Sequence, residues 1–257
     1  MTAPGVRDAY DRSAASWRAG PALVYGRLAE ALVSVAPVDV AGARVLDVGA
    51  GTGVAAQAAL SRGAASAVAS DVAAEMLRGR PPEVAAVLAD GARLPFRDGS
   101  FDLTAAAFCL GHMPDPARVV REIRRVSPAL VASAFAPGPA HPVKTAIDAA
   151  FARVGFVAPA WYRHQKDVLE TRVDDPVALA GLAREAGFEE VEVHELDVDS
   201  GLSSAAEVVQ WRLGMAHLAP FAADLDEQVR ARAVADAEEA VAGMLPVVIG
   251  ILALSAS

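Results

Sequence analysis

Three glycines alternate with other residues in the run Gly49-Ala50-Gly51-Thr52-Gly53, which follows the apolar segment Val45-Leu46-Asp47-Val48. Glycine is needed where the backbone turns sharply, and where a ligand must approach the chain without a Cβ in its way. A helical pattern over residues 54–61 comes next, so the sequence predicts a strand, a tight turn that holds a ligand, and a helix. A tight turn without a ligand is the alternative.

The glycine run does not have the pattern of a phosphate-binding loop. A dinucleotide fingerprint places its third glycine one residue later, where this chain has Val54. A P-loop ends in Gly-Lys followed by Ser or Thr, and the run contains no lysine. We therefore expect a ligand that is not held through a phosphate.

Two acidic residues end the next two apolar runs. Asp71 follows Ala67-Val68-Ala69-Ser70, and Asp90 follows residues 84–89. A carboxylate at the end of a strand can accept hydrogen bonds from both hydroxyls of a ribose, and Asp90 could accept one from the exocyclic amine of an adenine. Both acids could instead be turn or helix-capping residues. Together with the glycine run, the ligand-binding interpretation is favoured.

A histidine, His112, follows the fourth apolar run, residues 102–108. The pKa of an imidazole suits removal of a proton from a hydroxyl near neutral pH, so His112 is the candidate general base. It could instead fix its loop by hydrogen bonding or line a site passively. His141 and His164 could also reach a substrate, or be solvated loop residues.

Strands alternate with helices along the chain. A fifth strand is predicted over residues 129–135, a sixth over 191–196 and a seventh over 247–254, and Asp-Pro pairs at 115–116 and 175–176 predict helix starts. This order predicts an α/β fold in a single domain (1–257), with a doubly wound, mostly parallel, seven-stranded sheet. Ligands of such sheets bind beyond the carboxyl ends of the strands, where the glycine run, the acids and His112 converge.

Three segments stand outside this alternation. Residues 1–40 read as a helical lid with Tyr10, Trp17 and Tyr25, and residues 137–173 and 201–245 are predicted to be helical insertions that cap the site. The aromatic residues of the first segment could instead form a hydrophobic seam that docks its helix on the sheet. The first insertion also contains Phe151. Four aromatic residues of the insertions are expected to shape an apolar pocket, or to form the lid's own small core: Trp161, Tyr162, Trp211 and Phe221.

The composition excludes several classes of protein. The net charge of -9 gives no electrostatic footprint for nucleic acid. The single Cys109 cannot form an internal disulfide, and no Cys/His cluster has metal-ligand spacing. The first residues lack the apolar run of a signal peptide, and the longest apolar stretch is too short to span a bilayer. We expect a cytoplasmic monomer or homodimer without a metal, acting on a small molecule.

Val45-Leu46-Asp47-Val48-Gly49-Ala50-Gly51-Thr52-Gly53 resembles the first motif of the class I S-adenosylmethionine-dependent methyltransferases, in particular of those that act on small molecules. Asp71 with Met76 resembles the second motif, Asp90-Gly91-Ala92 the third, and the segment from Phe108 to Pro116 the fourth. Two departures stand out: Arg125-Val126-Ser127-Pro128-Ala129 replaces a Pro-Gly-Gly turn, and Gly111 stands where many members have a first histidine.

The resemblance implies S-adenosyl-L-methionine as cofactor and methyl transfer to a small, rather apolar metabolite, with oxygen favoured as the acceptor atom. A protein that binds the cofactor without methylating, as a regulator or as a catalyst of cyclisation or rearrangement, is the alternative. An NAD-dependent oxidoreductase is a third hypothesis, which Val54 weakens. The residues implied in cofactor binding are Asp47, Gly49, Ala50, Gly51, Gly53, Asp71, Val72, Met76, Asp90, Gly91, Ala92, Phe108 and Met113.

Overall fold

The computed structural model describes residues 5–138 and 141–257, and these ranges contain a seven-stranded sheet with helices on both faces. In chain order the strands are β1 (Arg44–Val48), β2 (Ser66–Asp71), β3 (Ala85–Leu88), β4 (Leu103–Ala107), β5 (Leu130–Phe135), β6 (Val191–Asp199) and β7 (Val248–Ala256). Their order across the sheet is β3-β2-β1-β4-β5-β7-β6, and only β7 runs antiparallel to its neighbours. The predicted mostly parallel α/β fold is confirmed.

The helices lie between the strands and in the two long insertions. They are α1 (Val6–Ala19), α2 (Pro21–Ser34), α3 (Val54–Ser61), α4 (Ala74–Arg78), α5 (Pro116–Val126), α6 (Pro142–Ala152), α7 (Ala160–His164), α8 (Pro176–Glu185), α9 (Ala205–Leu213), α10 (Ala219–Asp224) and α11 (Glu227–Val241). The side chain of Asp115 accepts a hydrogen bond from the N–H of Arg118, and that of Asp175 caps α8 in the same way. Both predicted Asp-Pro helix starts are therefore confirmed.

The two faces of the sheet bury different cores, because successive residues of a strand point to opposite sides. Leu46 of β1 lies in a core with α5 and α8, whereas its neighbour Val45 lies in a core with α2 and α3. In β5, Ala132 and Val131 are divided in the same way. The apolar runs that the sequence shows are thus strands covered on both sides, as a parallel sheet requires.

The insertions carry helices that pack on one another. Residues 137–173 hold α6, α7, a π-helical turn at Gln165–Leu169 and a 3-10 turn at Glu170–Arg172, while α9, α10 and α11 fill the connection before β7. Ile147 of α6, Trp211 of α9 and Val241 of α11 share one core with α2 and β7. Positions 139–140 of the first insertion and 1–4 of the predicted lid lie outside the described residues, and the division into lid and caps stays a prediction.

Strand β6 is longer than its sequence pattern indicates. It pairs with β7 from Val191, opposite Ala256, to Asp199, opposite Val248. The predicted end at Leu196 is three residues early, because the alternation continues through Asp197 and Val198 at the edge of the sheet. Among residues 5–138 and 141–257, every helix falls short of the length or the apolar character that crossing a bilayer demands.

Candidate active site

A cavity of about 270 Å³ lies at the carboxyl ends of β1 to β5. One part of its lining comes from the loops after these strands, and the other from α1, α2 and the insertions. Of the residues predicted to bind the cofactor or to catalyse, the structure brings twelve to this cavity: Gly49, Ala50, Gly51, Asp71, Val72, Met76, Asp90, Gly91, Ala92, Phe108, His112 and Met113. Asp47 and Gly53 are not among the lining residues.

The glycine run forms a turn that only glycines can make without strain. Gly49, Gly51 and Gly53 have φ angles of +65°, +54° and +77°, in the left-handed region. The turn also leaves no room for a side chain at its first glycine, because a Cβ on Gly49 would lie 2.4 Å from the Cβ of Cys109. On Gly51 it would lie 3.2 Å from the Cε of Met76. The turn thus presents bare backbone to the cavity.

Asp47 lies beneath this turn rather than in the cavity. Its carboxylate is buried, and Oδ2 accepts a hydrogen bond of 2.9 Å from the N–H of Ala56 in the first turn of α3. Burial raises the pKa of Asp47 to about 7. Its position supports a role in holding the start of α3 against β1, and does not support the predicted direct contact with a cofactor. Gly53 likewise shapes the turn, beside Arg80.

Asp71 joins the end of β2 to the glycine run. Its Oδ2 accepts from the N–H of Gly51 at 2.7 Å, and its Oδ1 accepts from the N–H of Ala73 at 2.8 Å. Burial raises the pKa of this carboxyl group, and the backbone N–H groups oppose the increase. Each carboxylate oxygen has a second lone pair. Asp71 can therefore still accept hydrogen bonds from two hydroxyl groups of a ligand.

Asp90 and Phe108 line the cavity together with Gly91 and Met113. Asp90 accepts a hydrogen bond of 3.0 Å from the N–H of Ala92 through Oδ1. Phe108 has a φ of +54°, and among the residues that the structure describes it is the one non-glycine residue in the left-handed region. Such backbone strain in a bulky residue persists where the surrounding structure imposes it, often at functional sites.

His112 is held by hydrogen bonds on one ring nitrogen. The side-chain amide nitrogen of Gln165 lies 3.2 Å from Nε2 of His112, and the hydroxyl of Tyr10 lies 3.4 Å from the same atom. The Gln165 amide group donates, and burial raises the pKa of Tyr10, so its hydroxyl keeps its proton and donates as well. Nε2 therefore accepts, which places the ring proton on Nδ1, a buried atom without a partner. Burial also lowers the pKa of His112 to about 4.

Gln165 connects His112 to Glu170. The amide nitrogen of Gln165 donates to Oε1 of Glu170 at 2.9 Å, and Nζ of Lys166 lies 2.5 Å from its Oε2. A Cβ on Gly111 would lie 3.0 Å from the Cγ of Glu170. The glycine that departs from the family's pattern thus makes room for Glu170, which anchors the π-helical turn above His112.

A series of aromatic rings closes the cavity from the side of α1 and α2. Trp17 packs against Tyr25 with ring centroids 5.0 Å apart, and Tyr25 packs against Phe108 at 5.4 Å. Phe108 in turn contacts Phe135 at the end of β5, at 4.8 Å. The aromatic residues of the N-terminal helices therefore form one wall of the cavity, and closure of this segment over a ligand stays a prediction.

The aromatic residues of the insertions are divided between the cavity and the helical core. Trp161, Tyr162 and Trp211 line the cavity. Phe151 is buried in the core of the insertions, and Phe221 packs on Phe156 at 5.4 Å. Trp161, Tyr162 and Trp211 therefore shape the pocket, whereas Phe151 and Phe221 belong to the core of the insertions.

Several polar residues of the cavity were not singled out from the sequence: Lys144, Gln165, Lys166, Glu170, Arg212 and His217. His217 is buried and stacks on Tyr162 at 3.9 Å, and burial first, then Arg212, lowers its pKa to about 2. By contrast, His141 and His164 do not line the cavity, and His141 accepts a bond from Val143 at the start of α6. No group of three or more metal-ligating side chains occurs among the described residues.

Comparisons with known sequences agree on one family. Residues 46–128 match a family described as a methyltransferase domain. The malonyl-[acyl-carrier protein] O-methyltransferase of Geobacter sulfurreducens is 35% identical over 203 residues, which cover 75% of this chain and 73% of that protein. The demethylmenaquinone methyltransferase of Corynebacterium kroppenstedtii is 43% identical over 86 residues, 33% of this chain and 37% of that protein. The chain thus spans little more than a third of this second relative.

Solved structures show the same fold at low identity. A protein described as a methyltransferase from an antibiotic biosynthesis pathway of Anabaena variabilis has a TM-score of 0.64 and 15% identity, over 90% of this chain and 96% of that one. The [4+2]-cyclase SpnF has a TM-score of 0.52 and 22% identity, over 90% of this chain and 80% of that one. The sequence motifs, the fold and the Geobacter relative confirm the predicted family. The chain belongs to the class I methyltransferases, whose cofactor is S-adenosylmethionine.

Proposed function

We propose that the chain transfers the methyl group of S-adenosylmethionine to an oxygen atom of a small, largely apolar metabolite. The observation that carries this proposal is the continuity of one cavity. The same cavity is lined by the glycine turn and Asp71 on one side, and by Tyr25, Phe135 and Trp211 on the other. Cofactor and acceptor can therefore meet in one continuous space, which is what direct methyl transfer needs.

The residues on the strand side fit the adenosyl part of the cofactor. The missing Cβ atoms of Gly49 and Gly51 leave bare backbone where a ligand can lie close. Asp71 has free lone pairs for the ribose hydroxyls, and Asp90 with Met76 would hold the adenine. Asp47 and Gly53 would act indirectly, by shaping the turn.

The aromatic wall supports the chemistry of the transfer. The cofactor supplies a methyl group on a sulfonium cation, whose positive charge disappears as the methyl group moves to the acceptor. A site closed by Trp17, Tyr25 and Phe108 excludes water, so this loss of charge is not opposed by lost hydration. Most of the acceleration would come from holding the acceptor atom in line with the methyl group.

The base role of His112 stays a prediction, and its contacts weigh against it. A base needs a free lone pair, and Nε2 of His112 already faces two donors, Tyr10 and Gln165. We assign His112 instead the role of a positioning residue that ties α1 to the π-helical turn over the cavity. An acceptor that is already ionised would need no base.

Oxygen as the acceptor atom is supported by the name of the Geobacter relative, an O-methyltransferase that shares most of this chain's length. The apolar character of the acceptor is supported by the aromatic walls. A small molecule, rather than a nucleic acid, is supported by the enclosure of the site and by the net charge of -9.

A second candidate is a protein that binds S-adenosylmethionine but catalyses a cyclisation or rearrangement. One observation favours it: burial lowers the pKa of both histidines of the cavity, to about 4 for His112 and about 2 for His217. Neither is a ready proton acceptor, and a rearrangement without proton removal needs none. The likeness to the [4+2]-cyclase is compatible with this candidate at the level of fold.

The experiment that separates the two candidates follows a labelled methyl group. The chain is incubated with S-adenosylmethionine that carries a deuterated methyl group, with fractionated metabolite extracts and a panel of phenols and carboxylic acids. Mass spectrometry that finds the label on an oxygen atom of a small molecule supports the proposal, with Asp71→Ala as the inactive control. If the cofactor binds but the label never leaves it, the second candidate is favoured.

A further inference from the structure

Lysine is rare in this chain, and both lysines lie at one cavity. Of the 23 basic residues, 21 are arginine, and the two lysines are Lys144 and Lys166. Both line the cavity described above. Lysine differs from arginine in having a compact charge on a flexible stem and a pKa that burial can lower. A chain that uses arginine at every other basic position thus has lysine only at this site.

Three of the cations that line the cavity, Lys144, Lys166 and Arg212, differ in how they are paired. Lys166 is paired with Glu170 at 2.5 Å, and Arg212 donates to both oxygens of Asp148, at 2.9 and 2.6 Å. The backbone N–H of Lys144 donates to the carbonyl of His141, but its ammonium group forms no hydrogen bond or ion pair with any residue in the described part of the chain. Its Nζ lies over two aromatic rings, 4.6 Å from the centroid of Phe135 and 5.6 Å from that of Trp211.

An unpaired ammonium group in this position is unfavourable. Burial, followed by the charges of Lys166 and Arg212, lowers the pKa of Lys144 to about 8, while Glu170 and Asp148 act in the opposite direction. Contacts with aromatic faces offset only part of the lost hydration. An anion beside Lys144 would supply the missing partner.

Two more polar atoms of residues that line the cavity have no hydrogen-bond partner. Nε1 of Trp211 and Nε2 of His217 are buried and form no hydrogen bond, and both residues line the cavity. An indole N–H can only donate. The ammonium group of Lys144 and the indole N–H of Trp211, whose ring centroid lies 5.6 Å from Nζ, are therefore both donors without an acceptor in the described part of the chain.

From this arrangement, and resting on the proposed methyltransferase function, we propose that the methyl acceptor carries an ionised oxygen group, a carboxylate or a phenolate, that pairs with Lys144. The indole N–H of Trp211 is the second donor, and the rings of Phe135 and Tyr162 receive the apolar remainder of the molecule. Recognition of an anion by a chain of net charge -9 then depends on the positive charge of Lys144.

The test measures binding of matched ionised and neutral probes in the presence of S-adenosylhomocysteine. The pairs are cinnamate with cinnamamide, and a nitrophenolate with the corresponding nitroanisole; calorimetry gives the affinities. We expect an ionised probe to bind at least about tenfold more tightly than its neutral partner, a difference of roughly 1.4 kcal/mol. Preference for cinnamate would identify a carboxylate, and preference for the nitrophenolate a phenolate.

Variants assign the effect to Lys144. Lys144→Met and Lys144→Gln should remove the preference for the ionised probe, and Lys144→Arg should keep part of it. Arg153→Met is the matched control, because it removes an exposed positive charge from the end of the same helix, α6. If the ionised and neutral probes bind equally, if neither pair binds to the wild type, or if Lys144→Met binds as the wild type does, the proposal is wrong.

Because the chain has only two lysines, NMR can follow each of them in the wild-type protein. Protein labelled with ¹³C at the lysine ε-carbon should give two lysine signals, and the one lost in Lys144→Arg belongs to Lys144. Its titration midpoint should rise by at least about one pH unit when the bound anion is present; an unchanged midpoint with bound cinnamate would overturn the proposal. Failure of S-adenosylhomocysteine itself to bind would count against the proposed function instead, so the two failures are distinguishable.

Discussion

The carboxylate of Asp71 holds the backbone of Gly51: the N–H of Gly51 lies 2.7 Å from Oδ2 of Asp71, which links the end of β2 to the turn after β1. The residue that is expected to bind the ribose therefore also fixes the turn against which the cofactor lies. A substitution of Asp71 is therefore expected to affect both the binding of the ribose and the position of the glycine turn.

We predict that Asp71→Asn weakens binding of S-adenosylhomocysteine at least about tenfold, and that Asp71→Ala weakens it further. The amide keeps one acceptor oxygen, whereas the methyl group keeps none and also releases Gly51. Calorimetry measures both affinities. Asp102→Asn is the control, because Asp102 also accepts from the backbone of a neighbouring strand, at Arg44, but at the other end of the sheet. Wild-type affinity in Asp71→Asn would contradict the assignment.

We predict that Gly49→Ala abolishes cofactor binding and that Gly42→Ala does not. Both glycines have positive φ angles, +65° for Gly49 and +79° for Gly42, so both substitutions cost roughly 1 to 2 kcal/mol of backbone strain. Only at Gly49 does the new Cβ meet another atom, the Cβ of Cys109 at 2.4 Å. Denaturant unfolding gives the stabilities and calorimetry the affinities. Equal effects of the two substitutions would show that the close approach to Cys109 is unimportant.

We predict that His112 makes the protein less stable as the pH falls from about 6.5 to about 4. Burial lowers the pKa of folded His112 to about 4, so in this window the unfolded chain binds more protons than the folded one. Stability therefore rises with pH across the window, by an amount on the order of 2 kcal/mol between pH 5 and pH 7. His112→Gln should remove this part of the difference.

The measurement is the free energy of unfolding at pH 5 and pH 7 for the wild type and for His112→Gln. His164→Gln is the control, because His164 lies outside the cavity. If the two variants lose the same stability between the two pH values, the environment that the structure gives His112 is incorrect.

We predict that the ion pair of Arg212 and Asp148 is more costly to break than to remove. Arg212 is 4% exposed and Asp148 is 35% exposed, so Asp148→Ala leaves a buried positive charge and should cost about 2 to 3 kcal/mol. The double variant Asp148→Ala/Arg212→Met replaces the charge with an apolar side chain and should recover part of this loss. Thermal and denaturant unfolding measure both; a double variant less stable than the single one would contradict the prediction.

Local patterns in the sequence predict most of the fold. The glycine run, the helix at 54–61 and the Asp-Pro starts at 115 and 175 depend on neighbours a few residues away. Strand ends are predicted less well, since β6 extends to Asp199 and β7 to Ala256, beyond the predicted ends at residues 196 and 254. The alternation of β6 continues to Val198, but where the pairing stops depends on β7, about fifty positions later in the chain.

The site could be predicted only in part, for a similar reason. The loops after parallel strands meet at one edge, so Asp71, Asp90 and His112 could be placed together from topology alone. The partners of His112 could not, because Tyr10 and Gln165 lie 102 and 53 positions away on helices without a motif. The two cavity lysines belong to no motif, but the composition distinguishes them, because they are the only two lysines in the chain.

A calorimetric titration of the wild-type chain with S-adenosylmethionine, S-adenosylhomocysteine and NAD tests the assigned cofactor most directly. We predict that the first two bind once per chain, with affinities roughly in the micromolar range that is ordinary for small ligands, and that NAD does not bind. Binding of NAD without binding of S-adenosylmethionine would contradict this assignment, and the glycine turn would then serve a different cofactor.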